Sequence, residues 1–211
     1  MSEPMVFYTN PKSRGRIVRW MLEEVGQPYR TEVLEFGTTM KAPDYLALNP
    51  MGKVPAIVHG EVVVTECAAI CAYLADAFPQ AGLAPPVGAR LRGTYYRWLF
   101  FAAGPIETAV TNRALGLVTP QGREAMAGWG TFTTVMDTME AAVSHGKFLL
   151  GERFSAADVY FGSQVGFGLM FGSIEKRPAF ERYWQGISSR PAALRAREID
   201  DALIAKSKQS G

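Results

Sequence analysis

Two cysteines and two histidines in 211 residues leave little material for metal or redox chemistry. Cys67 and Cys71 lie four apart on a stretch that reads as helix. That spacing is poor for a disulfide, and two sulfurs alone make no metal site. His59 and His145 have no partner at metal-ligand spacing and read as surface residues. No metal site is expected, and the thiols should stay reduced, as in a cytoplasmic protein. Charge imbalance is small too: a formal net charge of +2 gives no electrostatic case for nucleic acid or a membrane surface as partner. No apolar run approaches a membrane span, and Met1-Ser2-Glu3-Pro4 lacks the basic and apolar regions of a signal peptide. No internal repeat is visible. The expectation is a soluble, cytoplasmic protein with room for one large domain or two small ones.

The hydrophobic pattern divides the chain. Met5-Val6-Phe7-Tyr8 reads as a strand, and Thr9-Asn10-Pro11-Lys12-Ser13 as the loop after it. From Arg14 the period becomes helical, with Ile17, Val18, Met21, Leu22 and Val25 on one face and Arg14, Arg16 and Arg19 on the polar side. Gly26 and Pro28 stop that helix, and residues 29–33 read as a second strand, parallel to the first. Residues 42–48 suggest a short helix. Ala56-Ile57-Val58-His59 and Val62-Val63-Val64-Thr65, joined by Gly60-Glu61, form a hairpin. A helix over 66–78 should bury Ala69, Ile70, Tyr73 and Leu74. The result is a four-stranded mixed sheet. Residues 79–88, rich in proline and glycine, make a linker, and everything beyond it reads as helix. Helices are expected over 89–101 with a bend at Gly104-Pro105, and over 120–145 with Thr119 as cap. Others start at Ser155, where Ser155 and Asp158 fit a capping box, and at Pro178 and Pro191. Tyr95, Tyr96, Trp98, Phe100 and Phe101 are assigned mostly to core, and residues from Lys206 onward to a frayed tail.

One stretch carries chemistry. In Asn49-Pro50-Met51-Gly52-Lys53-Val54-Pro55-Ala56 a proline follows a strand-like residue, where it cannot join a sheet ladder and is a candidate for a cis bond. Such a turn holds the Val54 N–H and C=O outward, as a strand-like clamp for an extended peptide. About a dozen residues later Thr65-Glu66-Cys67 opens a helix whose N–H groups and dipole suit a carboxylate. Clamp and anion site together point to a small anionic peptide.

The order of these features resembles the glutathione transferase family over nearly the whole chain. The first strand and helix (Phe7-Tyr8-Thr9, Ser13-Arg14-Gly15-Arg16, Trp20 to Tyr29), the Val54-Pro55 loop, Thr65-Glu66-Cys67-Ala68-Ala69-Ile70 and Phe154-Ser155-Ala156-Ala157-Asp158 are similar to its motifs in sequence order. The resemblance implies a thioredoxin-like domain at residues 1–79 and an all-helical domain at 88–211 that contributes an electrophile pocket. It further implies glutathione as co-substrate, a small apolar electrophile as second substrate, a detoxification role and a homodimer. Its class stays open.

Site residues follow from the same resemblance. A hydroxyl at the start of the first helix would stabilise the glutathione thiolate, the nucleophilic form of the thiol. Ser13 is the first candidate; Asn10, Tyr8 and Thr9 are the alternatives, and a plain capping role for Ser13 is the structural reading. Val54, backed by Pro55, would pair with the cysteinyl backbone of glutathione. Glu66 would face its α-ammonium and the Cys67 N–H its γ-glutamyl carboxylate. Cys67 stands where the family usually has serine, a weaker donor in that place. Lys53, ahead of Lys41, would meet the glycyl carboxylate. No cysteine stands in the 9–14 loop, which speaks against the members that form mixed disulfides there. A glutathione-dependent peroxidase or disulfide reductase, and a non-catalytic binding protein of the same fold, are the competing functions.

Overall fold

A computed structural model describes residues 4–209. The opening read as leaderless lies, but for Pro4, outside the described residues, as do the last two residues of the tail. The chain forms two compact units. The first runs to Ala81 and resumes at Arg190; the second spans Gly82–Ser189.

In the first unit, strand β1 (Met5–Thr9) is followed by helix α1 (Gly15–Val25) and strand β2 (Arg30–Val33). β2 pairs parallel to β1, with Val6 opposite Arg30, as a strand–helix–strand connection requires. Helix α2 (Pro43–Leu48) leads to β3 (Ala56–His59) and β4 (Val62–Thr65), a hairpin whose β3 runs antiparallel to β1. The sheet order is β2-β1-β3-β4. Helix α3 (Cys67–Ala77) packs on β3, β4 and α1, and the core of this unit is Phe7, Ile17, Val18, Met21, Leu22, Ile57, Ile70 and Leu74. α3 buries Cys67, Ile70, Cys71, Leu74 and Ala75. Ala69 is exposed, so the buried face is turned from the expected one toward the cysteines. His59 is half-buried rather than a surface residue, with its Nδ1 2.9 Å from the Tyr73 hydroxyl.

Of the arginines on the polar side of α1, Arg14 is exposed and Arg16 half-buried, but Arg19 does not face water. Arg19 is 1% exposed and pairs with equally buried Asp200 on helix α9 (Pro191–Gln209), Nε to Oδ1 at 3.2 Å. Its Nη1 also donates to Thr31 Oγ1 (2.7 Å) and Tyr29 Oη (3.1 Å), and its guanidinium lies 4.9 Å from the centre of the Phe7 ring. Burial, the largest cause, holds the Tyr29 phenol up to about 12. Around this centre Arg190 forks onto Glu24 (2.7 and 2.8 Å), Arg195 meets Glu23, and Arg16 pairs with Asp201. The last helix therefore belongs to the first unit, although its sequence reads as a continuation of the helical remainder. Helix α9 is regular through Gln209, where fraying was expected from Lys206.

The second unit contains α4 (Leu91–Phe101), α5 (Glu107–Ala114), α6 (Phe132–Ser144), α7 (Ala156–Phe171) and α8 (Pro178–Ser188). Between α4 and α5 a wider π turn (Ala102–Ile106) accommodates Pro105, so the expected bend is absorbed within a near-continuous helix. α6 starts at Phe132, capped by the Thr131 hydroxyl, twelve residues later than expected; residues 115–131 are turns and irregular chain around one short 3-10 turn (Glu124–Met126). α7 is buried along most of its length, its Phe161 ring edge-on to Trp98 and Tyr183. Helix α8 lies close to it because Gly162 has no side chain: a Cβ there would collide with Ile187 Cδ1. Of the five expected core aromatics, Tyr95 and Trp98 are buried, whereas Tyr96 and Phe100 are exposed. Among the described residues no helix is long and apolar enough to cross a membrane.

Candidate functional site

The loop between β1 and α1 is pinned by Asn10. Its Nδ2 donates to the Leu34 carbonyl (2.8 Å) and its Oδ1 accepts from the Lys12 N–H (2.9 Å). That amide is therefore committed to loop structure. Thr9 is fully buried, and Tyr8 stacks against Tyr45 with ring centres 5.5 Å apart. Ser13 is half-buried; its hydroxyl donates to the Asn10 carbonyl (2.7 Å) and accepts from the Gly15 N–H (2.9 Å). A serine hydroxyl has one proton and rotates freely, so that proton can turn from a neutral carbonyl to an anion and gain a stronger, charge-assisted bond.

The second wall is the loop ahead of β3. Tyr45 Oη (2.6 Å) and Asn49 Nδ2 (2.8 Å) both donate to the Lys53 carbonyl. The Lys41 ammonium donates to the Met51 and Gly52 carbonyls (3.1 and 2.9 Å). Gly52 takes φ +56°, and a Cβ there would stand 2.8 Å from the Met40 carbonyl oxygen, so only glycine fits this turn. The Val54–Pro55 bond is cis. Val54 is half-buried, and its backbone N–H and C=O make no hydrogen bond within the described residues. Such a donor and acceptor pair is open to solvent or to an added strand. Tyr45 and Asn49 escaped sequence reading as site residues. The Asn-Pro turn signal marked the position of Asn49 but not its contact.

Between the walls lies a cleft of about 420 Å³ lined by Lys12, Ser13, Arg14, Lys41, Lys53 and Val54, with the exposed Phe36 at its side. It gathers four of the expected site residues: Ser13, Lys41, Lys53 and Val54. Tyr8, Thr9, Asn10, Pro55, Glu66 and Cys67 do not line it. Glu66 and Cys67 stand at the start of α3. The Cys67 thiol donates to the Arg14 carbonyl (Sγ to O, 3.8 Å), which ties the start of α3 to the residue ahead of α1. Cys67 is thus buried and used for a local tether, and burial pushes the neighbouring Cys71 thiol well above its ordinary value. Glu66 is exposed and takes φ +66°, a strained backbone for a residue with a side chain. Among the described residues no cluster of His, Cys, Asp and Glu is arranged to hold a metal.

The second unit has a cavity of its own, about 520 Å³, between the end of α5 and the start of α6. Leu117, Val118, Trp129 and Phe132 line it, with the Arg113 guanidinium 4.1 Å over the Phe132 ring. None of Tyr95, Tyr96, Trp98, Phe100 and Phe101 is among these residues.

Comparison with known proteins fits this architecture. Residues 14–77, which hold α1, the loop ahead of β3 and α3, match the family model described as glutathione S-transferase, N-terminal domain. Glutathione S-transferase F9 of Arabidopsis thaliana is 30% identical over 175 residues, covering 72% of this chain and 76% of that one. The chain belongs to the glutathione S-transferase family. A second family member, glutathione S-transferase 3 of Zea mays, is 28% identical over 90% of this chain and 91% of its own. Among solved structures of the family, a glutathione transferase from Methylococcus capsulatus superposes with a TM-score of 0.77 at 29% identity, covering 94% of this chain and 99% of that one. A sphingomonad glutathione S-transferase solved with glutathione gives 0.76 at 26% identity, covering 93% and 98%.

Proposed function

We propose that the chain binds reduced glutathione in the cation-lined cleft of its first unit and adds the thiolate to small, mainly apolar electrophiles. The observation that carries this reading is the unpaired Val54 backbone beside the cis Pro55, in the same cleft as Ser13. Val54 takes the cysteinyl residue of glutathione as a short added strand. Lys53, whose backbone Tyr45 and Asn49 fix, meets the glycyl carboxylate; Lys41 braces the loop. Glu66 faces the α-ammonium, and the first N–H groups of α3 face the γ-glutamyl carboxylate. The Ser13 hydroxyl, ahead of α1, turns its proton to the sulfur. In the reaction the glutathione thiol gives its proton to solvent and the thiolate attacks the electrophilic carbon. A C–S bond forms, and the leaving group departs with its electron pair. Sequestration of reactive small molecules in the cytoplasm, by a homodimer, completes the reading.

Calorimetric titration with reduced glutathione, beside a conjugation assay with a generic aryl halide, tests the proposal. Binding together with conjugation is the expected result. Absence of glutathione binding would refute it. Binding with turnover only of peroxides or mixed disulfides would replace conjugation by reduction, and binding without any turnover would make the chain a glutathione-binding module.

A further inference from the structure

The cleft holds more positive charge than glutathione uses. Lys12, Arg14, Lys41 and Lys53 line it, and no acidic residue does. In the proposed pose, which this inference rests on, one glutathione carboxylate goes to the start of α3 with Glu66 on the ammonium, and the other goes to Lys53. Ser13 serves the sulfur, and the Lys41 ammonium is held by the Met51 and Gly52 carbonyls. That leaves Lys12 and Arg14, and Arg14 already has partners within the protein. The Lys12 side chain is exposed, its ammonium makes no ion pair or hydrogen bond within the described residues, and it is the chain neighbour of Ser13 on the wall of the same cleft. Beside it stands the Arg14 cation. An exposed apolar ring, Phe36, lines the same space. A positive charge next to the reacting sulfur, with an apolar ring in the same cleft, complements a molecule that has an apolar body and one fixed negative charge.

We propose that Lys12 reads the second substrate, so that the preferred electrophiles carry a carboxylate or sulfonate on an apolar body. Such a substrate reacts as any aryl halide does: the sulfur bonds to the ring carbon, the carbon–halogen bond breaks and halide leaves.

The test compares a chloronitrobenzoate with the matching chloronitrobenzamide, which differs in charge and hardly in shape. Both are used as substrates, and their glutathione conjugates are titrated calorimetrically so that affinity is read without turnover. The expected preference for the acid over the amide is about fivefold in kcat/KM and in conjugate Kd, the size of one partly exposed charge pair. It should shrink with added salt. In Lys12→Ala the ratio should fall to about one, and in Lys12→Glu it should reverse. Equal binding of the two conjugates by the native chain, or a preference that Lys12→Ala leaves intact, overturns the proposal while leaving the glutathione reading in place. If Lys12→Ala lowers the affinity for both conjugates equally, Lys12 serves glutathione alone and the proposal fails. If neither conjugate nor glutathione itself binds, both readings fail together, and the loss of glutathione binding identifies that case.

Discussion

Ser155 at the start of α7 and Ser13 just ahead of α1 bring the same hydroxyl to a helix N-terminus, in very different surroundings. Ser155 is 1% exposed and forms a capping box with Asp158, donating from both Oγ and N to Asp158 Oδ2 at 2.9 Å. The other carboxylate oxygen accepts from the Leu149 N–H (2.8 Å) and Tyr183 Oη (2.9 Å). Burial raises the Asp158 carboxyl above its ordinary value, and these four bonds oppose that shift. Every donor there has a neighbour inside the protein. Ser13 is half-buried, bonds only to backbone, and lines a cleft with four cations and the unpaired Val54 backbone. The same residue type at the same kind of position is a closed anchor in one unit and an open site in the other. What separates them is whether the surrounding polar groups are already satisfied.

That contrast breaks most visibly at Asp158. Asp158→Ala removes one carboxylate and strands four buried donors, and should lower stability by about 4 kcal/mol. Urea denaturation measures this, and a loss under about 1 kcal/mol would mean that the capping box is no anchor. Next in size is the buried pair in the first unit. Arg19→Leu leaves Asp200 uncompensated and should cost about 3 kcal/mol, much of it regained in the Arg19→Leu, Asp200→Leu double variant. A double variant no more stable than the single one would show that the pair does not hold α9 in place. On the open side, Lys53→Ala should weaken glutathione binding about tenfold, roughly 1.4 kcal/mol, with little change in unfolding. Unaltered affinity would move the glycyl carboxylate to another cation. Smallest is Ser155→Ala, about 1 kcal/mol of stability and no effect on glutathione, as a pure cap requires.

The sheet, the order of elements and the turn ahead of β3 were legible because they rest on local signals. Two short apolar runs around Gly60-Glu61 mark β3 and β4, a 3.6 period marks α1, and Val54-Pro55 stands between recognisable neighbours. What could not be read was set by partners distant in sequence. Arg19 looks like a solvated residue until Asp200, 181 positions later, lies beside it. The grip of Tyr45 and Asn49 on the Lys53 carbonyl has no period to betray it, and neither has the tether from Cys67 to Arg14. Residues 119–131 mislead for the opposite reason: Thr119-Pro120 is a good local start signal, but no buried face follows it to hold a helix.

The central claim is that Ser13 sits in an open site and acts on the sulfur of bound glutathione. Its most direct test is a pH titration of the thiolate absorbance of glutathione bound to the native chain and to Ser13→Ala. A bound thiol pKa near 7, well below the ordinary thiol value of about 8.5, is expected in the native chain, with a return toward that value in Ser13→Ala with the fold intact. An unshifted thiol in the native chain, or a lowered pKa that Ser13→Ala leaves in place, would contradict it and make Ser13 a cap like Ser155.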